Sequence, residues 1–167
     1  MFRELKAEEI DVRIGKIGKN MTTLLLYKDA RVDMDILDET VGAMNWQREP
    51  LMVGVNLHCV VSLWDSEKKQ WVSKSDVGTE SYSEKEKGQA SDSFKRACVN
   101  WGIGRELYTA KNIRVPNKLI AFYDNHGKQA TYDTFHVEKI TYKNRVIDGL
   151  AISNQKNERV YTKAPTT

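Results

Sequence analysis

The chain has 167 residues, 40% hydrophobic and 29% charged, with three prolines and ten glycines. That length bounds it to one domain, or one domain with a short appendage, and that composition excludes long disordered stretches. No apolar run approaches the roughly 20 residues needed to span a bilayer, and Met1-Phe2-Arg3-Glu4-Leu5-Lys6 is charged where a signal peptide would be apolar. The expectation is a cytoplasmic protein with no membrane partner.

Phe2, Leu5 and Ile10 suggest a short helix over 2–10, and the stretch Gly15-Lys16-Ile17-Gly18-Lys19-Asn20 reads as a basic loop. Thr22–Tyr27 is apolar and strand-prone. Asp33 as N-cap would open a helix whose stripe is Met34, Leu37, Val41 and Met44. Val53, Val55, Leu57, Cys59, Val61 and Leu63 alternate at period two, which predicts one long strand. The polar turn Asp65–Lys69 would return it through Gln70–Val77. The period then changes. Ser83 and Glu86 fit a capping box for a helix over 84–101, striped by Ala90, Phe94, Ala97, Cys98 and Trp101, with Gly102 closing it. Phe135–Tyr142 and Arg145–Ile152 alternate about a Lys143-Asn144 turn, and a third short strand fits Arg159–Thr162. The fold class is α+β: a curved antiparallel sheet against a long helix, with a C-terminal β-hairpin extension. The expected division is 1–122 and 123–167.

Several chemistries are excluded by missing motifs. No Gly-rich loop of the phosphate-cradling kind is present, and Gly102-x-Gly104 follows a helix and lacks a third glycine. His58, His126, His136, Cys59 and Cys98 show no ligand spacing, so no metal is expected. The two cysteines sit in apolar patterns and read as reduced core thiols. Asp76, Glu80 and Glu84 supply the hard oxygens a magnesium-dependent nuclease would need. Glu84 is also what a first helical turn favours, and no lysine stands in the usual nuclease arrangement.

Charge points elsewhere. Residues 1–80 hold 11 Lys and Arg against 14 Asp and Glu, whereas residues 81–167 hold 15 against 9. Lys95, Arg96, Arg105, Lys111, Arg114 and Lys118 concentrate within 93–118 against the single acid Glu106. Such an excess suits an anionic partner, with nucleic acid the commonest, or it is a solvated face. Tyr82, Trp101, Tyr108 and Tyr123 flank the segment and could stack bases, although Trp101 equally completes the core stripe.

Asp76-Val77-Gly78, the helix ending Asp92-Ser93-Phe94-Lys95-Arg96-Ala97, and Trp101-Gly102 resemble the Rad-fifty-two family of single-strand annealing proteins. Upstream, Ile10-Asp11-Val12-Arg13, Ala30-Arg31-Val32 opening a helix, Asn45-Trp46, and Val53-Gly54-Val55 opening a strand fall in the family's order. The likeness covers about residues 8–110 and is nearest to the small bacterial and phage branch. It implies a β-β-β-α core assembled into a homo-oligomeric ring or helical filament, with no nucleotide cofactor. Single-stranded DNA would lie in a basic groove with its bases outward. A host single-strand-binding protein would be a further partner. The groove positions fall on Arg13, Lys95 and Arg96. Two further basic positions of the family are Val99 and Pro50 here, so Lys16, Lys87 or Arg105 would build that wall. Arg31 is a further candidate, or a structural residue beside Asp33.

The expected function is therefore ATP-independent binding of single-stranded DNA and annealing of complementary strands, in recombination or repair, by a protein that is not an enzyme. DNA contacts are expected from Arg13, Lys95, Arg96, Arg31, Lys87 and Arg105. The alternatives are a passive single-strand binder and a metal-dependent nuclease.

Overall fold

The computed structural model describes residues 1–79 and 85–166, with the backbone alone for Lys85, Glu86 and Lys87. In chain order the elements are β1 (Asp11–Ile17), β2 (Met21–Tyr27), α1 (Ala30–Val41), β3 (Trp46–Val53), β4 (Asn56–Asp65), β5 (Gln70–Val77) and α2 (Lys85–Trp101). After a 3-10 turn at Arg105–Thr109 come β6 (Ile113–Pro116), β7 (Tyr123–Asn125), β8 (Lys128–Ala130), β9 (Phe135–Lys143), β10 (Val146–Asn154) and β11 (Arg159–Lys163). All paired strands run antiparallel, and the class is α+β.

The chain forms two compact units, one of Met1–Arg3 with Ala30–Arg105 and one of Glu4–Asp29 with Glu106–Thr167. This differs from the division at 122/123 read from the sequence. The reason is a pairing the sequence does not display: β9 joins β1 through Asp11↔His136 and Val12↔Phe135. The C-terminal strands thus complete the sheet that β1 and β2 begin.

That sheet has the order β11-β10-β9-β1-β2-β6, and it curls until β6 lies alongside β11, a nearly closed barrel. Leu24, Ile113, Val115, Val137, Ile147, Leu150 and Ile152 are buried in this unit. Inside it the Glu106 carboxylate, fully buried, accepts the Leu5 N–H at 2.8 Å and faces the Arg145 guanidinium at 3.5 Å. Leu5 also accepts the Tyr142 hydroxyl at 2.8 Å, and burial pushes that phenol up. These tertiary bonds occupy the backbone where a helix over 2–10 is expected, and only a 3-10 turn at Ala7–Glu9 forms. The expected basic loop is shorter too. Gly15, Lys16 and Ile17 belong to β1, which bulges between Ile14 and Lys16. A Cβ on Gly15 would sit 2.7 Å from the Leu25 side chain, so glycine lets the strand continue past it.

The other unit stacks α2 on the three-stranded sheet β3-β4-β5, with α1 against α2 and β3. Phe94, Ala97 and Cys98 of α2, Cys59 and Val61 of β4, and Ile36 and Leu37 of α1 are buried. Both cysteines are free and buried. The hairpin β4–β5 matches its sequence pattern, Gln70–Val77 included, but β4 does not start at Val53. Gly54, at φ +61°, and Val55 form a tight turn, so the period-two run is two strands folded back on each other. Val55 is 89% exposed at the tip.

α1 also differs from expectation. It starts at Ala30, and Asp33 lies inside it, buried as are Ile36 and Leu37. Val41 is its last residue, followed by Gly42 at φ +86°, which leaves Met44 outside the helix and 89% exposed.

α2 ends as its sequence predicts. Gly102 adopts φ +98°, its N–H donates to the Val99 carbonyl and the Ile103 N–H donates to the Cys98 carbonyl, the paired bonds of a Schellman motif. Ala90, placed in the stripe by spacing, is exposed, and Ser93 is buried in its stead. Ser83 and Glu80 lie outside the described residues, as does the Glu86 side chain. Among the described residues no helix is long and apolar enough to cross a membrane.

Candidate nucleic-acid interface

α2 is amphipathic because Ser93, Phe94, Ala97 and Cys98 recur at helical spacing and are all buried. Lys95 and Arg96 follow that stripe around the helix and are both partly exposed. The helix is held close to β5 by Gly78, where a Cβ would lie 2.2 Å from the Gln89 carbonyl oxygen and 2.9 Å from the Ser93 nitrogen. Thr79 adds a hydrogen bond from its N–H to Asp92 Oδ2 at 2.9 Å. The segment from Asp76 to Gly78 thereby fixes the height at which Lys95 and Arg96 stand over the sheet edge.

The two cations are differently placed. Lys95 makes no hydrogen bond or ion pair with any described residue. Arg96 meets Asp76, with Nε and Nη2 each 3.4 Å from Oδ1. Both side chains are partly open to solvent, and exposed pairs of this kind contribute about 0–1 kcal/mol. A phosphate can compete for such a guanidinium.

Arg105 stands one step beyond. Its Nη2 donates to the Val99 carbonyl at 2.9 Å and the Asn100 carbonyl at 3.1 Å. The Val99 backbone therefore has an arginine guanidinium against it, delivered from after the helix. Lys74 on β5 joins it. Its Nζ donates to the same Asn100 carbonyl at 2.9 Å and lies 4.4 Å from the centre of the Trp101 ring. Cations at a helix C-terminus are favoured by its exposed carbonyls and by the macrodipole. Spacing along β5 marks Lys74 only as one residue of an alternating strand, so the sequence reading missed it. Trp101 is half-buried and donates its indole N–H to the Val61 carbonyl, which makes it structural.

The remaining candidates fall elsewhere. Lys87 is on α2 with only its backbone described, and Arg31 is exposed on the first turn of α1. Arg13 belongs to the other unit, exposed on β1 with its guanidinium 5.6 Å from the Tyr27 ring centre. Pro50 sits within β3 opposite Cys59. Of the expected carboxylate trio, Glu80 and Glu84 lie outside the described residues. Asp76 itself faces Arg96 and accepts the Val77 N–H at 2.8 Å. Among the described residues no group of His, Cys, Asp and Glu could hold a metal ion.

The side-chain amides nearby are already engaged. Gln89 donates to the Gly78 carbonyl and Asn100 to the Ser75 carbonyl. Base edges are read by free amides and guanidinia; this surface offers mainly charge. No family model matches the chain, and neither a curated protein nor a solved structure does.

Proposed function

We propose that the protein binds single-stranded DNA and anneals complementary strands without a nucleotide cofactor, as a homo-oligomer acting in recombination or repair. The observation that carries this reading is the pair Lys95 and Arg96, adjacent on a helix packed over an antiparallel three-stranded sheet, with Lys95 unpaired among the described residues. The order β3-β4-β5-α2 is also what the resemblance implies, and on this reading it is the annealing core. Lys74 and Arg105 extend the positive charge to the end of α2 and stand in for the missing cation at Val99.

Annealing asks a protein to grip phosphate and leave base edges free, which fits a cationic helix with its amides tied to backbone. One copy offers few phosphate contacts, and repetition along an oligomer adds them. For contacts between copies the reading uses β3. It is an edge strand, and Leu51, Met52 and Val53 at its end are all exposed, as is Val55 in the turn that follows. An exposed apolar edge is a template for further pairing.

The test is binding of labelled oligothymidylate by the full chain and by Lys95→Ala/Arg96→Ala. Binding should weaken for every sequence alike, and the salt slope should fall by about 1.4, the contribution of two single-strand phosphate contacts. Unchanged affinity and slope would sink the assignment.

A further inference from the structure

A second set of exposed cations lies on the barrel unit. Register places residues that face each other across β1, β2 and β6 on the same side of the sheet. One such row is Lys16, Thr23 and Arg114, and the next is Arg13 and Leu25. The row beyond that is His136, Asp11 and Tyr27. The opposite side carries Leu24 and Ile113, paired with each other and buried. The outer side is open: Leu25 is 42% and Tyr27 39% exposed, and Arg13, Lys16 and Arg114 are exposed as well. None of these three cations has a hydrogen bond or ion pair among the described residues. Asp11 shares the Tyr27 row, and burial, then the charges of Asp11 and Asp29, push the Tyr27 phenol up.

We infer that this outer face of β1-β2-β6 is a second binding surface for single-stranded nucleic acid. Phosphates would track across Arg13, Lys16 and Arg114, and bases would rest on Leu25 and Tyr27. The identity of the ligand rests on the proposed annealing reading; the existence of a polyanion site here rests on the face alone. Two features favour a single strand over a duplex. Leu25 and Tyr27 are two residues apart on one strand, about 7 Å, whereas stacked nucleotides of a duplex repeat about every 3.4 Å along its axis. Bases that meet successive side chains at the wider spacing must be unstacked from each other. An exposed aromatic flanked by cations is also the usual platform for an unpaired base, which has a free π-face to offer. Gly15 contributes by absence: with no side chain of its own, it leaves Leu25 room beside the bulge that turns Lys16 to the outer face.

The experiment compares oligothymidylate binding by Lys16→Ala/Arg114→Ala, Tyr27→Ala and Tyr27→Phe with that by Lys95→Ala/Arg96→Ala and the unaltered chain. Lys16 and Arg114 are exposed and have no hydrogen bond or ion pair among the described residues, so their double variant should melt as the unaltered chain does. It should bind about tenfold more weakly, with the salt slope reduced by about 1.4. Tyr27→Ala should lose about tenfold and Tyr27→Phe little, since stacking needs the ring and not the hydroxyl. Wild-type affinity and slope in Lys16→Ala/Arg114→Ala would overturn the inference. The two assignments fail separately. If only the α2 variant loses binding, the barrel site is wrong and the annealing interface stands. If only the barrel variants lose it, the barrel site stands and the α2 assignment falls.

Discussion

Arg96 and Lys95 are neighbours that differ in what they have to give up. On the proposed reading Lys95 would meet a phosphate with no partner to leave among the described residues, whereas Arg96 would have to share or release Asp76. Asp76→Ala should therefore tighten single-strand binding a few-fold at low salt, as a competing carboxylate is removed; weaker binding would show that Asp76 positions Arg96 instead. Gly78 has no such latitude. Its missing Cβ is the space occupied by the backbone of α2 at Gln89 and Ser93. Gly78→Ala should destabilise the fold by about 2 kcal/mol or more, read as a fall in denaturant midpoint. A neutral result would mean that the helix sits farther from β5. Glu138 offers a pH test in the barrel unit. Hydrogen bonds from Arg159, then from Ser153, hold its carboxyl down at about 2. A depressed acid contributes stability above its unfolded value and loses it as pH falls through the folded one. Stability should thus decline between about pH 4.5 and pH 2, and Glu138→Gln should flatten that decline. An unaltered acid limb would remove Glu138 from the cause.

At the scale of elements, what was legible in the sequence was what local rules decide. α2 was read within a residue, because its apolar spacing, its terminal glycine and its change of period all agree. β5 was read to the residue and the β9–β10 hairpin nearly so, though the turn falls on Asn144 and Arg145, both at positive φ, rather than on Lys143 and Asn144. The boundary between β3 and β4 was missed because alternation continues through the turn: Val53 and Val55 keep the period while Gly54 reverses the chain. Periodicity records the faces of a strand, and a two-residue turn does not disturb it. The barrel was illegible for a different reason. The pair that joins its two halves, β1 with β9, links residues more than a hundred positions apart, and no local signal carries that. For the site, charge density drew attention to Lys95, Arg96 and Arg105, but only register puts Lys16, Arg13 and Arg114 on one face. The Schellman end of α2 also gives an element-scale prediction. Gly102→Ala, forced to φ +98°, should cost about 1 kcal/mol, with thermal unfolding as the readout and an unchanged midpoint as the contrary result.

At the scale of the whole molecule, two units divide the charge that the sequence presents as one basic run. Lys95, Arg96 and Arg105 belong to the unit built on α2, and Lys111, Arg114 and Lys118 to the barrel unit. Each unit thus carries its own candidate surface, and an oligomer would repeat both along a strand. If β3 supplies the contact between copies, Leu51→Glu with Val53→Glu should reduce the mass in light scattering to that of one chain while the fold persists. A particle of unchanged mass would move the contact elsewhere. The central claim is annealing, and the direct measurement is pairing of two complementary labelled oligonucleotides without nucleotide cofactor, with particle mass recorded alongside. The account predicts pairing faster than in buffer, by a particle many times 19.2 kDa. Pairing no faster than in buffer, or slowed by bound protein, would contradict it.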